Sequence, residues 1–280
     1  MEIKDDLTED IKGLKKYAML VMIIVIAVTG YTAYQSAFRD PAVKFFQTDL
    51  QTAPGSYYLY LPESADHETE TSILIHPFFG QKDDQEDLQD EASRQIRTMQ
   101  VIADEIASPL LVPVFSLDDY QDPAKADILA ELFHDARSEL EEINYQIAEK
   151  ADLFGFGESG LYASYWLNQY PELVNKAVIG SPGGWPAEPQ ESEYNSEISI
   201  LFFQGEEDDF SLLDQEPYFT EAEQEELQAR LPEDSVARFQ LAVESYQEAG
   251  FQVESEIYPE MDHRITMEVN EDIATFINDQ

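Results

Sequence analysis

The chain has 280 residues, 43% of them hydrophobic and none of them cysteine. That length and composition allow a short segment plus one large domain with a sizeable core, and they exclude global disorder, disulfides, thiolate metal sites and cysteine nucleophiles. Asp and Glu number 58 against 16 Lys and Arg, a formal net charge of −42 at pH 7, and a surface this acidic repels nucleic acids and anionic membrane surfaces.

The acids are spread along the chain, which reads as a solvated surface suited to high salt or alkaline surroundings more than as a site for a cationic ligand. The four histidines, His67, His76, His134 and His263, show no metal-ligand spacing, so no metal and no cofactor are expected.

Residues 1–16 form a short N-terminal segment ending in Lys12, Lys15 and Lys16. Residues 17–34, YAMLVMIIVIAVTGYTAY, carry no charge and approach the ~20 residues that a bilayer-spanning helix needs. Tyr17, Tyr31 and Tyr34 stand at the ends of this run, where aromatic rings suit the membrane interface. A cleaved signal peptide would offer a small-residue cleavage site, and a buried core helix would offer a polar face; this run has neither. It reads as a transmembrane signal anchor. The lysines put the N-terminus in the cytoplasm and the main domain outside, although Asp5, Asp6, Glu9 and Asp10 dilute the charge bias. Residues 35–44 read as a linker and 45–280 as one domain.

Within that domain, 45–51 and 56–61 read as paired strands around a turn at Ala53-Pro54-Gly55. SILIH (72–76) is a short strand followed by a loop over 77–80. A helix spans 85–107, with Ile96, Met99, Ile102, Ala103 and Ile106 on one face. LLVPVF (110–115) is the next strand, and 123–150 a long amphipathic helix with Pro123 in its first turn. Strands follow at 152–156, 176–179, 198–203 and 253–258, with helices at 161–169, 235–249 and 268–277. The acidic stretch 210–232 reads as an insertion with one helix near the mouth of the site. Strand and helix in alternation predict an α/β fold: a mostly parallel central sheet, helices on both faces, and reactive groups at the carboxyl ends of the strands.

Four segments bear candidate chemistry: LIHPFFG (74–80), ADLFGFGESGLYASYWLNQYPELV (151–174), ILFFQGEEDD (200–209) and YPEMDHR (258–264). With YYLYLP and LLVPVF, in this order, they resemble the α/β-hydrolases, specifically lidless secreted esterases and dienelactone-hydrolase-like proteins, over most of the chain from Phe45 onward. That resemblance implies an α/β-hydrolase fold behind the one transmembrane helix.

It also implies site roles. The family's elbow is a G-x-S-x-G turn between a strand and a helix, and two registers fit. In one, Gly155 opens the motif, Gly157 takes the nucleophile position and Ser159 replaces the last glycine, so the nucleophile is absent. Ala163 and Pro171 then fall where the family has a small residue and a proline. In the other, Ser159 is the nucleophile and Leu161 crowds the turn. Asp208 matches the family's acid, with Asp209 the alternate, and His263 its base. Backbone N–H groups of Phe78 or Phe79 and of Glu158 are the oxyanion candidates, since Pro77 has none to offer. His76 reads as structural, His134 as a surface or packing residue, and His67 as solvated.

Two functions follow from the resemblance. One is a membrane-anchored hydrolase of ester or related acyl bonds. The alternative is a catalytically inactive pseudo-hydrolase that binds a small-molecule or cell-envelope ligand. A plain structural surface protein has only the acidity in its favour.

Overall fold

The computed structural model describes residues 43–49, 54–81, 85–117, 120, 122, 124–183, 186, 188–213 and 218–279. The candidate signal anchor, 17–34, lies outside them. Among the described residues no helix is long and apolar enough to cross a membrane. Residues from Lys44 to Gln280 form one compact unit.

Ten strands and six longer helices can be followed. The strands are β1 (Val43–Asp49), β2 (Pro54–Tyr60), β3 (Leu74–Ile75), β4 (Phe79–Gly80), β5 (Leu110–Pro113), β6 (Phe115–Ser116), β7 (Ala151–Phe156), β8 (Val174–Gly180), β9 (Ser199–Gly205) and β10 (Gln252–Tyr258). The helices are α1 (Gln85–Ile106), α2 (Ala124–Glu142), α3 (Glu158–Gln169), α4 (Glu221–Arg230), α5 (Ser235–Glu248) and α6 (Met267–Asn278).

Eight strands make one sheet in the order β1-β2-β5-β3-β7-β8-β9-β10. Strand β2 runs antiparallel to β5, and the run from β5 through β3, β7, β8 and β9 to β10 is parallel. The chain leaves β3 for β5 on one side and returns to β7 on the other. That reversal is where parallel α/β sheets open a crevice at their carboxyl edge.

Both faces of the sheet are covered, which is why its central strands are apolar throughout. Every residue of β5 is buried, as are the first five of β7. On one face Leu111, Leu153, Ile179 and Phe202 join α2, α3 and α5 in a single cluster that includes Trp166 and Tyr246. On the other, α1 packs on β5 and on α6. Trp166 Nε1 donates to the carbonyl of Ala126 at 3.1 Å, so the indole is buried with its polar atom satisfied.

Four elements differ from the sequence expectation. Helix α2 stops at Glu142 instead of reaching Lys150. Asn144 takes a left-handed conformation (φ 69°), and Tyr145 and Ile147 then turn into the core. The loop after SILIH contains a strand, Phe79–Gly80, paired in parallel with Phe115–Ser116. The helix after β7 begins at Glu158, one turn before Leu161. Strand β2 starts at Pro54, two residues before the expected Ser56.

Candidate active site

The carboxyl ends of β3, β7, β8, β9 and β10 carry His76, Gly157, Ser181, Asp208 and His263. At the end of β7 the chain bends sharply into α3. Gly157 is the N-cap of that helix, with φ 62° and ψ −127°. A residue with a side chain is strained at such a φ, so glycine holds the bend at little cost. Its N–H donates to the carbonyl of Gly180 at 2.9 Å, tying the bend to β8.

Close packing around the bend sets the register. A Cβ on Gly155 would stand 2.2 Å from the carbonyl oxygen of Ser159, so β7 meets the first turn of α3 with no room for a side chain. A Cβ on Gly160 would stand 2.9 Å from the carbonyl oxygen of Gly180. Gly157 is the residue at the bend itself. Ser159 lies in the first turn of α3, buried to 5% exposure.

Asp208 and His263 meet as the sequence motifs suggested. His263 Nδ1 lies 3.0 Å from Asp208 Oδ2. The other carboxylate oxygen accepts from the Phe210 N–H at 2.9 Å. The two loops are stitched together: the Glu206 N–H donates to Tyr258 O at 2.9 Å and the Glu207 N–H to Met261 O at 3.0 Å. A Cβ on Gly205 would stand 2.1 Å from Met261 O, so only glycine permits that approach. Asp209, the alternate acid, faces solvent.

Burial pushes the Asp208 carboxyl up, but its interactions with His263, Ser181 and the Phe210 N–H together outweigh it and hold the group below its ordinary value. An ionised acid on Nδ1 fixes the proton there and leaves the lone pair on Nε2. That atom faces the elbow, 3.1 Å from the position a Cβ would take on Gly157.

Two rings that the sequence reading missed hold the imidazole. Phe156 stacks on one side with centroids 4.5 Å apart, and Phe210 stacks at 3.9 Å. Phe156 is the residue between Gly155 and Gly157, and Phe210 directly follows the acid loop. Aromatic residues flanking both motifs were the available signal.

The oxyanion candidates are placed differently from one another. Glu158 opens α3, so its N–H has no intrahelical acceptor and is free to meet a ligand oxygen. Its carboxylate accepts from the Tyr218 hydroxyl, which the acidic insertion contributes. Phe78 and Phe79 are buried at 5% and 3% exposure, and Phe79 packs edge-on to Tyr120 and Tyr162. His76 is buried, with Nδ1 3.0 Å from the carbonyl of Phe154, and burial pushes its pKa down to about 4. It is a neutral packing residue. Among the described residues no group of three or more acids and histidines is arranged to hold a metal ion.

No protein-family model matches the chain, and no curated protein matches it in sequence. Solved structures do. It is similar to poly(aspartic acid) hydrolase-1 from Sphingomonas sp. KT-1, with a TM-score of 0.58 at 14% identity over 85% of this chain and 97% of that one. It is similar to an esterase of Pyrobaculum calidifontis, with a TM-score of 0.56 at 10% identity over 89% and 88%. A fluorophosphonate-binding serine hydrolase of Staphylococcus aureus gives 0.50 at 13% identity over 85% and 99%. The chain therefore has the α/β-hydrolase fold, and its structural neighbours are esterases and serine hydrolases.

Proposed function

We propose that this is a single-pass membrane protein whose extracytoplasmic α/β-hydrolase domain receives small acyl compounds, free or from the cell envelope, without forming a serine acyl-enzyme. One observation carries the reading: the elbow residue facing His263 is Gly157, which has no hydroxyl. Loss of the nucleophile alone leaves a triad enzyme only about 10³–10⁴-fold above water. The test is a fluorophosphonate probe on the purified chain, with no labelling expected. Labelling at Ser159 would overturn the proposal.

A second reading, turnover of esters or related acyl bonds, is favoured by the Asp208–His263 pair. A pure binding pocket has no evident need for a buried carboxylate aligned on an imidazole, and drift would be expected to erode it. Polyanions such as poly(aspartic acid) are poor ligands for a chain with a net charge of −42, and nucleic acids are poor partners for the same reason.

The membrane anchor rests on the uncharged run 17–34 behind three lysines. Carbonate washing of membranes that releases the chain would argue against an anchor. Resistance of the domain to protease added outside intact cells would argue against its orientation.

A further inference from the structure

At the elbow, Gly157 offers an acyl group no atom, and the reactive atom facing it is His263 Nε2. The ring is reachable, because the His263 side chain keeps 29% of its surface exposed while Asp208 keeps 3%. A carbon on Gly157 would stand 3.1 Å from Nε2, so this nitrogen is the side-chain atom poised over the bend. Phe156 and Phe210 stack on the ring at 4.5 and 3.9 Å and hold it with Nε2 directed at the bend.

We infer that His263 Nε2 is the nucleophile of an acyl-transfer reaction at this site, acting on neutral or cationic aryl esters and thioesters. The inference rests on the reading that the pocket receives acyl compounds. The Nε2 lone pair forms a bond to the acyl carbon, and the carbon–oxygen or carbon–sulfur bond to the leaving group breaks with its electron pair. The acyl-imidazolium keeps its Nδ1 proton, and the Asp208 carboxylate balances its charge. The Glu158 N–H, at the positive end of α3, serves the developing oxyanion. Water then adds to the acyl carbon, the carbon–nitrogen bond breaks with its pair returning to Nε2, and one proton goes to the departed anion through solvent. The sum is one aryl ester or thioester and one water giving one acid and one phenol or thiol.

The chemistry selects the substrate. An imidazole that has bonded the acyl carbon has no Nε2 proton to give the leaving group, so the group must depart as a stable anion. Phenolates and thiolates qualify, and simple alkoxides do not. Acyl phosphates qualify by leaving group but are repelled by the net charge of −42.

The experiment uses the purified full-length chain with para-nitrophenyl acetate, ethyl acetate and the unreactive analogue acetanilide. Turnover is expected for the aryl ester and not for ethyl acetate. Acid quenching should leave one acetyl group on the peptide that contains His263. The rate in heavy water should nearly equal that in ordinary water, as fits direct attack. His263→Gln should lose the activity while staying folded, and added imidazole should restore turnover to His263→Gly. Absence of the adduct together with a heavy-water slowing of about twofold or more would overturn the inference in favour of a water activated by His263 as base. If acetanilide shifts the His263 ring resonances and no aryl ester turns over, the nucleophile is refuted while the acyl-binding reading stands. If neither occurs, both are refuted.

Discussion

The Cβ position of Gly157 lies 3.1 Å from Nε2 of His263 and 3.3 Å from Cε1. The imidazole has thus settled into the space that a nucleophile's side chain would need. It cannot swing away freely, since Phe156 and Phe210 stack on it and Asp208 holds Nδ1. Gly157→Ser asks the ring to retreat by a few tenths of an ångström and puts a side chain at φ 62°. Such strain costs about 1–3 kcal/mol. We expect the variant to lose stability by that amount in urea unfolding and to gain fluorophosphonate labelling, because the acid and base are already aligned. A folded variant that stays unlabelled would show that the ring does not yield.

Gly155 tests the bend from beneath. Its Cβ would meet Ser159 O at 2.2 Å, Ser159 C at 2.5 Å and Gly160 N at 2.6 Å, all backbone atoms that cannot rotate aside. Gly155→Ala must push α3 off β7, at a cost expected to exceed about 3 kcal/mol. Gly160→Ala meets Gly180 O at 2.9 Å and Gly155 O at 3.1 Å, a milder overlap. Thermal melts should find Gly155→Ala unfolded or nearly so, with Gly160→Ala folded at a lower melting temperature. Equal melting temperatures would mean that the strand and helix are not pressed together here.

Asp208 links the site to acid stability. Its folded pKa is held below the ordinary 3.8, so the unfolded chain takes up this proton first as pH falls. The group's stabilising contribution is full above pH 3.8 and is lost as pH drops through the lower folded value. Asp208→Asn should therefore be less stable than the parent by its full amount above about pH 3.8, and the gap should narrow as pH falls below that value. Urea unfolding of both chains across the acid range measures the gap. A gap that widens in acid would reverse the assigned sign.

The sequence carried the outline of this site and stopped at its register. The apolar spacing of Ile96, Met99 and Ala103 was enough for α1, because helix faces repeat locally. The GEEDD and MDHR segments pointed to Asp208 and His263, since each follows a strand and the strands end on one edge. The elbow stayed open between Gly157 and Ser159 because small residues at 155, 157, 159 and 160 satisfy both spacings. What favours the Gly157 register is tertiary: the approach of Ser159 O to Gly155, and the tie from Gly157 N–H to Gly180 O. Phe156 and Phe210 were not anticipated, because a ring that stacks across loops leaves no periodic trace. The sequence extends helix α2 too far because residues 143–150 include good helix formers, while burial of Tyr145 and Ile147 overrides that preference.

His76 and Asp152 pull stability in opposite directions with pH. His76 is 3% exposed and burial lowers its pKa from 6.5 to about 4, so the unfolded chain binds the proton first between those values. Acidification through that window removes stability on the order of 3 kcal/mol. Asp152 is equally buried at the start of β7, where it accepts from Asn175 Nδ2 at 2.9 Å. Burial raises its pKa from 3.8 to about 6, against the smaller lowering by Asn175, Ser72 and Lys176. The folded chain therefore binds that proton first, and acidification from pH 6 to 3.8 adds stability of similar size. Asp152→Asn mimics the protonated form, so it should stabilise the chain at pH 8 by up to roughly 3 kcal/mol and lose that advantage towards pH 4. His76→Gln should flatten the fall between pH 6.5 and 4, and the His76 ring should stay neutral by NMR down to about pH 4. Urea unfolding of the three chains across this range separates the two groups. An Asp152→Asn chain that is less stable than the parent at pH 8 would mean that the ionised carboxylate is better satisfied at β7 than its burial implies.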